Sequence, residues 1–248
     1  MNNLVIEKKA NEFRSQCGLG GNDPIQIRSL LTKLNVIAVF KPLGVNFGGM
    51  SIKVNKEEDT KRFILVNSSR TIGNQNFTIS HELYHLFIQH EFTFSLSPTG
   101  FFETKSGEEY NADLFASIFL LPETGIKSLI PDDELGKNRI TLKTILKSEQ
   151  YFATSRLALL YRLKHLGMID QSHLDGFTQN IKRGALEYGY STDLYESGNN
   201  NLVLGDYGTI ARELFEKEII SESHYFSLLM DLGMNISDIE EIQNHVNE

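Results

Sequence analysis

The sequence has no tryptophan and one cysteine, Cys17, so no internal disulfide can brace the fold and aromatic packing falls to 16 Phe and 9 Tyr. A lone cysteine fits a reducing compartment, and cytoplasmic residence is the expectation. Long apolar runs are absent as well, and none approaches the length of a membrane span. The start, MNNLVIEKKANEF, lacks a basic segment followed by an apolar stretch and a cleavage site, so no secretory signal is expected. Basic charge is in deficit, with 24 Lys and Arg against 32 Asp and Glu. A broad phosphate-binding surface needs clustered cations, so direct DNA contact is not expected. No repeat of fixed period is found.

What is present is the composition of an ordinary folded chain, long enough at 248 residues to bury a core in one or two domains. Ile6, Ala10 and Phe13 recur at helical spacing until Gly18 and Gly20 stop the pattern. Asp23 and Pro24 then read as the N-cap and first residue of a second helix through IQIRSLLTKLNV. VIAVFKPL, GGMSIKV and RFILVN are β-branched or apolar runs between turn residues, which predicts a small antiparallel sheet. Helices are expected from about Asn76 to His90 and from about Gly107 to Leu121, the latter closed by Pro122. Residues 140–168 suggest two short helices around a polar turn, a helix-turn-helix-like outline. The stretch from Asp175 to Asp206 is turn-rich and unassigned, and YGTIARELFEKEIISESHYFSLLMDLG reads as a closing helical pair with Ser221 as an N-cap.

The chemistry concentrates in FTISHELYHLFIQH, which carries H-E-x-x-H at His81, Glu82 and His85. Positions i and i+4 of a helix share a face about 5–6 Å apart, so two imidazoles can meet one zinc ion. Glu82 points off that axis and can act as general base on a metal-activated water. The alternative is a pair of solvated histidines. A third ligand is offered by GEEYNADLFASIFLLP, where Glu108 or Glu109 stands at a helix start. Glu109 and Asp113 form E-x-x-x-D, a spacing in which the first carboxylate can bind metal and the second accept the spare N–H of a ligating His. An acidic helix start that merely favours the dipole is the competing explanation.

These residues resemble the ImmA/IrrE family of metallopeptidases. The resemblance runs through Ala10 to Arg14, FILVN at Phe63 to Asn67, NQNFTISHELYH at Asn74 to His85 and EYNADLFASIFLLP at Glu109 to Pro122. It is fainter in FATSRLALLYRLKHLG. Tyr84 stands where the family usually has Gly, Ser80 where it has Ala, and Asp113 where it has Asn; Tyr84 would narrow the cleft or offer a phenol to the substrate. The resemblance implies an α+β fold with a small zincin-like peptidase domain at residues 1–130, helices on a short, mostly antiparallel sheet. A mainly helical recognition and regulatory region would fill residues 131–248. It implies Zn2+ held by His81, His85 and Glu109, with Glu82 as catalytic base. It further implies a site-specific endopeptidase whose substrate is a helix-turn-helix transcriptional repressor, without direct DNA or membrane binding. The rival reading is a metal-stabilised regulatory module that does not hydrolyse. A basic stripe of Lys143, Lys147, Arg156, Arg162 and Lys164 is the one feature that points towards DNA.

Overall fold

A computed structural model of the chain describes residues 2–56, 59–98, 107–235 and 237. The first helix, α1 (Asn3–Gln16), buries Ile6, Ala10 and Phe13, the stripe that the sequence spacing marks. Arg14 on the same helix is buried, and its guanidinium donates to the carbonyls of Phe119 (2.5 Å), Gly20 (2.6 Å) and Asp23 (2.6 Å). Cys17 follows as a buried packing residue.

The second helix, α2 (Ile27–Lys33), starts later than Asp23 and Pro24 suggest, with Gln26 at its N-cap. Asp23 is already engaged, because its carboxylate accepts from the Gly20 N–H at 2.7 Å and closes the preceding turn. Next come β1 (Val36–Lys41), β2 (Phe47–Lys56) and β3 (Asp59–Asn67), then α3 (Ile72–Phe87) and β4 (Phe94–Pro98). The sheet order is β4-β2-β3-β1 with a late strand, β5 (Val203–Leu204), beside β1. Most pairings are antiparallel, but β1 and β3 run parallel, which departs from a purely antiparallel sheet. The reason is topological: β2 pairs on the far side of β3, which lets β3 turn back beside β1 in the same direction.

Ala38, Phe40, Ile64 and Val66 form the inner face of the sheet and join one core with Ile79, Leu83 and Leu86 of α3. That core also takes Phe115, Ile118 and Phe119 of α4 (Glu108–Leu120). α3 begins earlier than the apolar pattern implies, because the Thr71 side chain accepts from Asn74 N–H and caps it. A Cβ built on Gly73 would lie 2.7 Å from the backbone N of Ser155, so only glycine allows the start of α3 to press against the turn there.

That turn joins α6 (Leu142–Tyr151) to α7 (Arg156–His165), the two helices expected of the helix-turn-helix-like segment, and α5 (Glu123–Leu129) precedes them. Arg156 and Arg162 are both buried, so the five cations do not line up as a surface stripe. Arg162 donates to the Leu121 carbonyl at 3.1 Å, and Arg156 grips Glu149 with two bonds of 2.5 and 2.6 Å. The unassigned stretch forms α8 (Gln171–Phe177), α9 (Ile181–Glu187), a short 3-10 turn at Asp193–Tyr195 and β5. The closing pair is α10 (Tyr207–Glu216) and α11 (Glu222–Asp231), with Ser221 accepting from His224 N–H as the N-cap. Residues 196–199 clamp the start of α3: Ile72 N–H donates to the Glu196 carbonyl at 2.8 Å, and the Gln75 amide donates to the Gly198 carbonyl at 3.0 Å. Among the described residues no helix is long and apolar enough to cross a membrane.

Candidate metal centre

The site is built where α3 crosses the start of α4 beneath β2 and β4. His81, Glu82 and His85 are all buried, because the face of α3 that carries them packs inward. One helical turn brings the two imidazoles together, with their Nε2 atoms 3.1 Å apart. Glu109, on the first turn of α4, completes a triangle: one carboxylate oxygen lies 3.3 Å from His81 Nε2 and the other 3.4 Å from His85 Nε2. All three donors lie within 4.8 Å of one another and are close enough to bind a single ion. A tetrahedral ion with bonds of about 2.0–2.1 Å requires ligand atoms about 3.3–3.4 Å apart, so the triangle has the right dimensions.

The outer contacts fix which nitrogens face the triangle. Asp113 lies 2.7 Å from His81 Nδ1, and a carboxylate only accepts, so that nitrogen carries a proton. Gln89 Oε1, at 2.6 Å, takes the Nδ1–H of His85. Both Nε2 atoms are thereby turned towards Glu109. Burial alone pushes His81 down, but its bonds to Asp113 and Glu109, aided by the Glu82 charge, more than reverse this and raise it to about 9. His85 moves the other way, lowered by burial first and then by the charge of His81. The pair holds one extra proton between them at neutral pH.

Glu82 is completely buried on the same helix. One oxygen accepts from Ser51 Oγ of β2 at 2.6 Å, and the other, Oε1, has no hydrogen-bond partner among the described residues. A buried carboxylate oxygen left open is costly, and it is the atom a general base needs. Gly49 makes this crossing possible: a Cβ there would stand 2.6 Å from Thr78 Cγ2 and 2.9 Å from the Leu65 carbonyl, forcing β2 away from α3.

Glu108 takes another path and accepts from the Tyr84 phenol at 2.5 Å. Tyr84 itself is fully buried, packing on Phe115 and edge-on to His85, so its hydroxyl is not presented to a substrate cleft. His90 is exposed and lies beyond the end of α3, away from the triangle. Sequence reasoning did not identify Ser51, Gln89 and Ser95, whose Oγ lies 3.4 Å from Glu109 Oε1. Gln89 carried a usable signal, being one turn past His85. Ser51 had a weaker one, a small polar residue at an inward position of β2.

No curated protein matches the chain. The family model described as the IrrE N-terminal-like domain matches residues 36–164, from β1 through α7, which is more than half of the chain and includes every residue of the triangle. On that match, the chain belongs to the IrrE N-terminal-like domain family, Peptidase M78, a family of metallopeptidases.

Proposed function

We propose that the chain is a zinc-dependent, site-specific endopeptidase that acts in the cytoplasm on a helix-turn-helix transcriptional repressor and relieves repression by cutting it. The observation that carries the zinc chemistry is the donor triangle of His81, His85 and Glu109, with the open oxygen of Glu82 buried beside it. Two nitrogens and a carboxylate are a donor set that suits zinc and leaves a fourth position for water or substrate. Zinc, when bound, supplies a Lewis acid for the scissile carbonyl and lowers the pKa of a water towards ~7.

The remaining work belongs to the chain's own residues. Asp113 and Gln89 hold the imidazoles in the tautomer that exposes Nε2. Ser51 fixes the rotation of the Glu82 carboxylate through Oε2, so that Oε1 receives the proton of the attacking water and returns it to the leaving amine. The substrate lies extended along β4, the outer strand of the sheet on the metal side among the described residues, where backbone pairing reads a peptide with little demand on its sequence. Selection of the repressor falls to residues 131–248, which carry no comparable set of metal-binding groups among the described residues.

Zinc analysis and cleavage of repressors encoded beside the chain test this reading. Glu82→Gln should keep its zinc and lose turnover by about 10²–10⁴-fold, the usual worth of a general base. Strong cleavage by this variant would overturn the mechanism. A zinc-loaded wild type that cuts none of these repressors favours the regulatory module instead.

A further inference from the structure

Two side-by-side stripes join α3 to α4. His81 and His85 face Glu109 and Asp113, while Tyr84 faces Glu108 and Phe115 on the neighbouring stripe. The second stripe has no part in the chemistry above, yet it contains a 2.5 Å bond from a fully buried phenol to a carboxylate. A carboxylate that served only the helix dipole would be solvated at both oxygens. Glu108 is exposed but directs one oxygen inward to Tyr84.

The position of that bond gives it a purpose. α4 starts from Gly107, which has no side chain to cap the free N–H groups of the first turn. Glu109 is the second residue of that turn, so fraying there would carry a donor away from the histidines. On its other side Tyr84 meets the His85 ring edge-on, with centroids 5.5 Å apart, while Phe92 stacks on that ring at 5.4 Å. We infer that Tyr84 is a positioning residue of the metal site: its phenol locks the first turn of α4, which Gly107 does not cap with a side chain, onto α3 and so holds Glu109 against His81 and His85.

This inference rests on the reading of His81, His85 and Glu109 as zinc ligands, and its test separates the two. Zinc affinity is measured on the full chain by competition with a chromogenic chelator, and the thermal midpoint is recorded without metal. Partners that bond a ligand directly are worth about 10–100-fold in affinity, and Tyr84 acts one step further out, so Tyr84→Phe should weaken zinc binding by about three- to tenfold. Glu108→Ala should match it, and the double variant should lose no more than either single one, because all three break the same lock. Glu108→Gln keeps an acceptor for the phenol and should stay within about twofold of wild type. The cobalt-substituted Tyr84→Phe protein should show an altered visible spectrum. Unchanged zinc affinity in Tyr84→Phe and Glu108→Ala, even with lower thermal midpoints, overturns the inference alone. So do losses that multiply in the double variant. A wild type that binds no zinc overturns the metallopeptidase reading, and the inference with it.

Discussion

Glu149 and Arg156 are buried as deeply as Glu82 and the two histidines, yet the two groups are wired in opposite ways. Around Glu149 every strong valence is closed: Arg156 donates twice, and the Tyr195 phenol donates to Oε1 at 2.5 Å. A third Arg156 nitrogen reaches the Phe177 carbonyl at 3.1 Å. Around His81 and His85 the outer nitrogens are closed by Asp113 and Gln89, whereas the inner ones converge on Glu109, and Glu82 keeps an oxygen without a partner among the described residues. Buried charge is therefore no mark of function by itself. What separates the clusters is whether the lone pairs are spent inside the protein or gathered around a point.

The largest effect should come from opening the closed cluster. Arg156→Met leaves Glu149 buried and unpaired, which should cost about 3–5 kcal/mol of stability in urea unfolding. Replacing the group together, as Glu149→Leu with Arg156→Met and Tyr195→Phe, should recover most of that loss, since matched apolar side chains replace a buried pair at little cost. Zinc affinity of the folded fraction should barely change in either variant. A large loss of zinc binding would show that the two clusters are coupled, and the contrast between them would fail.

The second effect comes from the open cluster. Glu109→Ala removes one corner of the triangle and should weaken zinc binding by at least about a hundredfold, roughly 2.7 kcal/mol, more than an outer contact contributes. The metal-free protein should lose some stability near neutral pH, because the Glu109 bond helps to hold the proton on His81. If Glu108→Ala were the more damaging change, the carboxylate assigned to the metal would have to be exchanged for its neighbour.

How well each cluster could be read from the chain follows from the distances in sequence over which it is assembled. His81, Glu82 and His85 sit within one helical turn, and Glu109 and Asp113 within another, so regular helix geometry carries them from spacing to site. Spacing alone left Glu108 and Glu109 both open, since adjacent helical residues diverge; the family resemblance assigned Glu109, and the crossing of α3 with α4 places that carboxylate 3.3 and 3.4 Å from the two histidines. Ser51 meets Glu82 from 31 residues away, and Tyr195 meets Glu149 from 46 away, with no local pattern to announce either. Arg156 and Lys147 looked equivalent as cations, and only packing separates the buried one from the exposed one. β5 was out of reach for another reason: two residues have no strand period of their own, and Val203 and Leu204 become a strand by pairing with Val39 and Ala38.

The smallest effect is also the one most specific to the open cluster, because it follows the proton that a metal must displace. In the metal-free protein His81 is raised to about 9, burial opposing this and the Asp113 and Glu109 bonds prevailing, while His85 is lowered below 6.5. Between about pH 6.5 and 9 the pair therefore carries one proton, on His81, and zinc must release it to gain the lone pair. Affinity should rise by about tenfold per pH unit across that window and level off above it. Stability of the metal-free chain should run the other way. A folded pKa above the unfolded value of 6.5 contributes stability that is full below pH 6.5 and lost as pH rises through about 9. With zinc in excess the slope should reverse, since tighter binding at higher pH stabilises the folded state. Asp113→Asn removes a bond that holds His81 up, so the plateau in affinity should begin at lower pH in that variant. Zinc affinity that stays flat from pH 6.5 to 9, measured with a chelator whose own proton linkage is known, would mean that zinc displaces no proton from His81 in that window.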